Sequence, residues 1–127
     1  MPSSLPSDSA LPSILLVDDD PDLRAVLTLA LRDEGLTCIT ATSIDDAVAL
    51  LHHAGVALVL TDSFSDCPDD VIGRTAPVRR AAGAIPVVLF TAHPVSPADT
   101  QAAGCAGLME KPGDLDQWLD QIRGFIG

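Results

Sequence analysis

The chain contains no tyrosine, one tryptophan, three phenylalanines and, among seven basic residues, a single lysine, Lys111. Eighteen acidic residues face those seven, giving a formal charge of −11. A domain so poor in positive charge repels phosphate backbones, which argues against direct nucleic-acid binding. No apolar run approaches the roughly 18 residues needed to cross a bilayer, so no membrane role is expected. Met1 to Pro12 has neither Lys nor Arg and no continuous apolar stretch, and does not read as a secretory signal. Cys38, Cys67 and Cys105 are an odd number without CxxC spacing. They read as free thiols in a reducing cytoplasm. Every basic residue but Lys111 is arginine, which marks Lys111 as a place where an ammonium is wanted.

What is present is globular. Nearly half of the 127 residues are hydrophobic, enough for one sizeable core and too short a chain for two ordinary domains. The Pro and Ser content of residues 1–12 reads as a disordered lead-in, leaving one domain over 13–127. Short aliphatic runs then alternate with helical patterns. Ile14-Leu15-Leu16-Val17 reads as a strand buried on both faces. Asp20-Pro21 supplies an N-cap and a proline at the first helical position. Leu23, Val26, Leu27, Ala30 and Leu31 fall on one helix face, and Gly35 ends the helix. Thr37 to Ala41 is a second strand. Ser43 caps a helix through Ala47, Val48, Leu50 and Leu51, closed by Gly55. Val56 to Thr61 is a third strand, ending at Asp62.

Between Ser63 and Ile85 the pattern weakens, because Asp69, Asp70, Gly73 and Pro77 interrupt it, so a short, broken helix is expected there. Pro86 to Phe90 is a fourth strand. Ser96-Pro97 starts a short helix that Gly104 stops. Ala106 to Met109 is a fifth strand. Asp114 caps a last helix with Leu115, Trp118, Leu119, Ile122 and Ile126 on one face. Five strands alternating with helices imply a parallel α/β sheet covered on both sides, which binds ligands beyond the carboxyl ends of its strands.

The residues able to do chemistry fall at those ends. Asp18 and Asp19 follow strand one, Asp62 strand three, Thr91 strand four, and Lys111 strand five. Two carboxylates about 4 Å apart repel by roughly 4 kcal/mol at an effective dielectric near 20, so three together call for a counter-charge. Oxygen ligands without His or Cys suit Mg²⁺ or Mn²⁺. Lys111 adds positive charge on the opposite flank, and the Thr91 hydroxyl is a neutral donor. Such parts describe a pocket for a tetrahedral dianion beside a carboxylate that can act as nucleophile.

ILLVDDDP at Ile14 to Pro21, VALVLTD ending at Asp62, VLFTA at Val88 to Ala92 and MEKP at Met109 to Pro112 resemble the four signature segments of response-regulator receivers of two-component signalling. The resemblance runs from about Ser13 to Gly127. It implies a flavodoxin-like, doubly wound five-stranded sheet of order 2-1-3-4-5 in an α/β/α sandwich. It implies Asp62 as acceptor of a phosphoryl group from a histidine kinase or phosphotransfer protein, with signalling through a protein partner. Asp19 would ligate Mg²⁺, Asp18 would act largely through water, and the main-chain carbonyl of Phe64 would be a further ligand. Thr91 and Lys111 would contact phosphoryl oxygens, and the bond before Pro112 would be cis. No enzyme activity is implied beyond the domain's own phosphotransfer and dephosphorylation. Phe64 and His93 would flank the hydrolytic water, and the bulk of Phe64 implies a long-lived phosphorylated state.

The chain departs from the family pattern in three places. The proline after the acceptor, Pro68, comes two residues late, and a following glycine is missing. Leu108 stands where the fifth strand usually carries Tyr or Phe, so the usual aromatic coupling is absent or rebuilt. The chain ends at Gly127 without an effector domain, which suits a stand-alone receiver or a piece of a longer kinase or transcription factor.

Ordinary readings remain beside these. Asp18 and Asp19 could form a solvated turn, Asp62 a loop acid, Thr91 a plain strand end and Lys111 a surface lysine. Asp20 reads as a cap only, His52 and His53 as a helix end meeting its dipole, and Trp118 as packing. Two rival functions follow: a phosphorylation-independent pseudo-receiver that binds proteins, and an aspartyl-phosphate phosphatase. Phe64 disfavours the phosphatase, because such hydrolases generally carry a second acid two residues after the nucleophile.

Overall fold

Ile14, Leu15, Leu16 and Val17 are all fully buried, and strand alternation sends Ile14 and Leu16 to one side of the sheet and Leu15 and Val17 to the other. Burying each such side chain contributes about 1.5–3 kcal/mol, which is why an unbroken aliphatic run makes a central strand. In the computed structural model this strand, β1 (Ser13–Val17), lies between β2 (Thr37–Ala41) and β3 (Leu58–Thr61), followed by β4 (Val87–Thr91) and β5 (Gly107–Glu110). The sheet order is 2-1-3-4-5, and every pairing is parallel. The structure describes residues 13–52, 55–62, 71–92, 95–111 and 113–126. Expectations placed on residues 1–12, His53, Phe64, Cys67, His93 and Pro112 lie outside that set.

Parallel strands need crossovers, and five helices supply them: α1 (Pro21–Asp33), α2 (Ile44–Leu51), α3 (Val71–Ala82), α4 (Pro97–Ala102) and α5 (Leu115–Ile126). Leu27 and Leu31 of α1 join Trp118, Leu119 and Ile122 of α5 on the face made by Ile14, Leu16, Leu58, Leu60, Val88, Phe90 and Met109. Ala47 and Leu51 of α2 and Val78 and Ala82 of α3 cover Leu15, Val17, Val59 and Val87 opposite. A small third cluster of Leu89, Val95 and Ala103 lies beside α4. The layers are therefore helix, sheet, helix.

Cap chemistry sets the helix starts. The Asp20 side chain accepts from the amides of Asp22 and Leu23 with Pro21 at the first helical position. Ser43 accepts from Asp46, and Ser96 from Asp99 with Pro97 behind it. Gly35 and Gly104 stop α1 and α4 at φ of 82° and 75°, a conformation costly for any other residue.

The structure departs from the sequence reading at three places. The expected short, broken helix is a continuous one, α3, with Pro77 inside it. The proline strips a partner from the carbonyl of Gly73, but Gly73 is exposed and water can serve that oxygen. Thr75, Val78 and Ala82 then supply a buried stripe that Thr and Ala conceal from a hydrophobic pattern. α2 ends at Leu51 with His52 as its cap, short of Gly55. Val26 is half-exposed rather than facing the core, and Leu29 beside it is 60% exposed. Cys38 and Cys105 are free thiols, and burial pushes both above their ordinary range. Among the described residues no helix is long and apolar enough to cross a membrane.

Candidate functional site

Parallel strands end together, so the residues that follow β1, β3, β4 and β5 meet at one edge although they are far apart in sequence. The register brings them level: Val17 pairs with Thr61, and the amide of Asp62 donates to the Val17 carbonyl at 2.8 Å. The amide of Asp18 donates to the carbonyl of Ala41 at 2.9 Å, and that of Lys111 to the carbonyl of Thr91 at 3.0 Å. Asp18, Asp62 and Lys111 thus hang from backbone positions pinned by a neighbouring strand.

Asp18, Asp19 and Asp62 each present a carboxylate oxygen such that all three lie within 4.8 Å of one another. Their surroundings differ. Asp18 is 1% exposed, Asp62 is half-buried and Asp19 is open to solvent. A buried carboxylate must be paired or hydrogen-bonded, and Asp18 is both. Its Oδ1 accepts from the amide of Asp20 at 2.9 Å, and its Oδ2 from Lys111 Nζ at 2.5 Å. Lys111 Nζ also lies 3.6 Å from Asp62 Oδ1.

The ammonium therefore sits against the carboxylates rather than on the far flank expected from the sequence. Coulomb's law accounts for that placement, because one cation between two anions offsets their mutual repulsion. Lys111 Nζ also stands 5.1 Å from the centre of the Phe90 ring, within reach of its electron-rich face. Thr91 is buried at the end of β4.

The donor set suits a hard divalent cation: three carboxylates, no thiolate and no imidazole. Asp18, Asp19 and Asp62 would hold such an ion. The structure brings Asp18, Asp19, Asp62 and Lys111 together and places Thr91 beside Lys111 through the main chain, while Phe64 lies outside the described residues.

Three neighbours escaped the sequence reading. Arg24 Nη1 donates to the main-chain oxygen of Asp18 at 3.0 Å, tying the first turn of α1 to the end of β1. The signal was positional: an arginine early in the helix that leaves the strand end. Trp118, read as packing alone, also donates its indole N–H to the carbonyl of Glu110, next to Lys111. Gly113 leaves the room that this indole occupies.

Residues 14–123 match the family model described as the response regulator receiver domain. The chain is 36% identical over 112 residues to the transcriptional regulatory protein GlrR of Escherichia coli, covering 86% of this chain and 25% of that protein. It is 33% identical to an uncharacterised 14.6 kDa protein of Leptolyngbya boryana, covering 80% of this chain and 79% of that one. The chain spans about a quarter of the length of the transcriptional regulators it matches. Among solved structures it resembles the chemotaxis protein CheY4 of Vibrio cholerae, with a TM-score of 0.78 at 22% identity over 91% of this chain and 99% of that one. A response regulator of Thermotoga maritima gives 0.79 at 22% identity over 91% and 98%. At such identities the likeness shows the fold.

Proposed function

Because the chain belongs to the response-regulator receiver family of two-component systems, we propose that it accepts a phosphoryl group on Asp62 from a histidine kinase or phosphotransfer protein and signals through a protein partner. The observation that carries this reading is the cluster itself. Three carboxylates and one ammonium gather at the carboxyl edge of the sheet, with Asp62 half-buried among them and accessible to a donor.

In the transfer, a carboxylate oxygen of Asp62 attacks phosphorus as the bond to the donor imidazole nitrogen breaks, and the imidazole leaves with a proton. Charge on the transferring group must be neutralised for this to proceed. Lys111 supplies one positive charge within 3.6 Å of Asp62. The Thr91 hydroxyl donates to a phosphoryl oxygen. Asp18, Asp19 and Asp62, with the main-chain carbonyl of Phe64, would hold a Mg²⁺ that would supply the remaining neutralisation. The Asp20 amide fixes Asp18 Oδ1 at this corner.

Intact mass after incubation with Mg²⁺ and acetyl phosphate tests the reading, beside an Asp62→Asn control. One added phosphoryl group, absent from the control and from chelated samples, is the expected result. A folded, Mg²⁺-binding chain with no adduct would contradict it and favour the phosphorylation-independent binding module. Once the adduct forms, Phe64→Asn is expected to hasten its loss by admitting water. An unchanged decay rate would remove Phe64 as the cause of a long lifetime.

A further inference from the structure

The single tryptophan makes two contacts that converge on the lysine of the site. Trp118 sits near the start of α5 and is almost wholly buried, so its indole N–H needs an acceptor. It finds the carbonyl of Glu110 at 3.0 Å, the last residue of β5 and the one before Lys111. The ring of Trp118 also meets Phe90 edge to face, with centroids 4.8 Å apart and planes at 86°. Phe90 precedes Thr91, and its ring lies under the Lys111 ammonium at 5.1 Å. One side chain therefore fixes the peptide from which Lys111 springs and also the ring over which its ammonium rests.

The turn between β5 and α5 is built to allow this. A Cβ added at Gly113 would stand 2.5 Å from Trp118 Nε1 and 3.1 Å from the Glu110 oxygen, directly across the hydrogen bond. Gly113 has no positive φ, so the missing side chain serves this close approach rather than backbone freedom. The influence of Trp118 on the site runs through Lys111.

We propose that Trp118 is a positioning residue for Lys111, holding the ammonium where it can serve Asp62 during phosphoryl transfer. The inference rests on Asp62 being the acceptor. It also gives the chain an aromatic link between the site and α5, on the face of the sheet opposite Leu108.

The test follows phosphorylation of the whole chain by acetyl phosphate and Mg²⁺, using intact mass, with the folded fraction of each variant measured alongside. W118F keeps an aromatic ring and loses the N–H, G113A displaces the indole without changing it, and I122V trims a buried neighbour that does not reach Lys111. W118F and G113A are expected to slow phosphorylation per folded molecule roughly fivefold, the loss of about one hydrogen bond expressed as a rate. The W118F/G113A double variant is expected to be no slower than either single one, since both break the same contact. I122V is expected to lose stability yet match the wild-type rate, which separates positioning from structural support. Wild-type rates in W118F, or additive losses in the double variant, would overturn the proposal. Absence of an adduct in the wild type would instead overturn the acceptor reading beneath it.

Discussion

One face of the sheet is packed with wide side chains and the other with narrow ones. Under α1 and α5 lie Phe90, Trp118, Met109 and eight leucines or isoleucines of the strands and helices, all buried. Under α2 and α3 the buried side chains among the described residues are Val17, Ala41, Ala47, Ala82, Val56, Val59, Val78 and Val87, with two leucines, Leu15 and Leu51. The wide face reaches the functional edge directly, because Phe90 leads into Thr91 and lies against Lys111. The narrow face reaches it through smaller groups, and at Leu108 it lacks the aromatic residue usual in the family. Support for Lys111 therefore comes from the wide face, through Phe90 and Trp118.

Truncation on the two faces gives the largest contrast. Phe90→Ala is expected to cost about 3–5 kcal/mol in urea denaturation. Leu108→Ala, which starts half-buried, is expected to cost less than about 2 kcal/mol. Equal costs would erase the distinction between the faces.

Ligand binding sharpens the comparison next. Mg²⁺ at a hundredfold over its dissociation constant should stabilise the chain by about 2.7 kcal/mol, read as a rise in thermal midpoint that Asp19→Ala diminishes. Because Lys111 competes for Asp18 and Asp62, Lys111→Ala should bind Mg²⁺ more tightly in calorimetric titration. Weaker binding would mean that the ammonium shapes the site rather than competing for it.

On the narrow face, Pro77→Ala restores a donor to the Gly73 carbonyl and should stabilise α3 by about 1–2 kcal/mol, the helix gain less the added freedom of the unfolded chain. A loss of stability would show that α3 depends on the proline. The smallest effect is expected at the wide face's outer rim. There Arg123 pairs with Glu34 between α5 and α1 while half-exposed. Glu34→Gln should change stability by no more than about 0.5 kcal/mol, and less in salt.

The strands and most helix boundaries were legible because their signals are local. Four consecutive aliphatic residues specify β1, and Asp20-Pro21, Ser43 and Ser96-Pro97 mark helix starts with side chains that satisfy orphan amides. α3 was obscured for an equally physical reason. Its buried stripe is written in Thr75, Val78 and Ala82 rather than in large apolar residues, and an exposed Gly73 absorbs the cost of Pro77. The exposure of Val26 shows the opposite error, an apolar residue at a plausible period that the sheet never covers.

At the site, the convergence of Asp18, Asp19, Asp62 and Lys111 followed from topology, since parallel strands share one carboxyl edge. What the sequence concealed were contacts between distant positions. No local pattern reports that Lys111 rests on Asp18 as well as facing Asp62, or that an indole 8 residues beyond Glu110 caps its carbonyl.

The most direct test of the central claim is chemical location of the phosphoryl group. Borohydride reduces an aspartyl acyl phosphate to homoserine, so reduction of the chain after treatment with acetyl phosphate and Mg²⁺, followed by peptide mapping, reads out the modified residue. Homoserine at position 62 is the predicted result. Homoserine at Asp18 or Asp19, or its absence from a folded chain that binds Mg²⁺, would contradict the account.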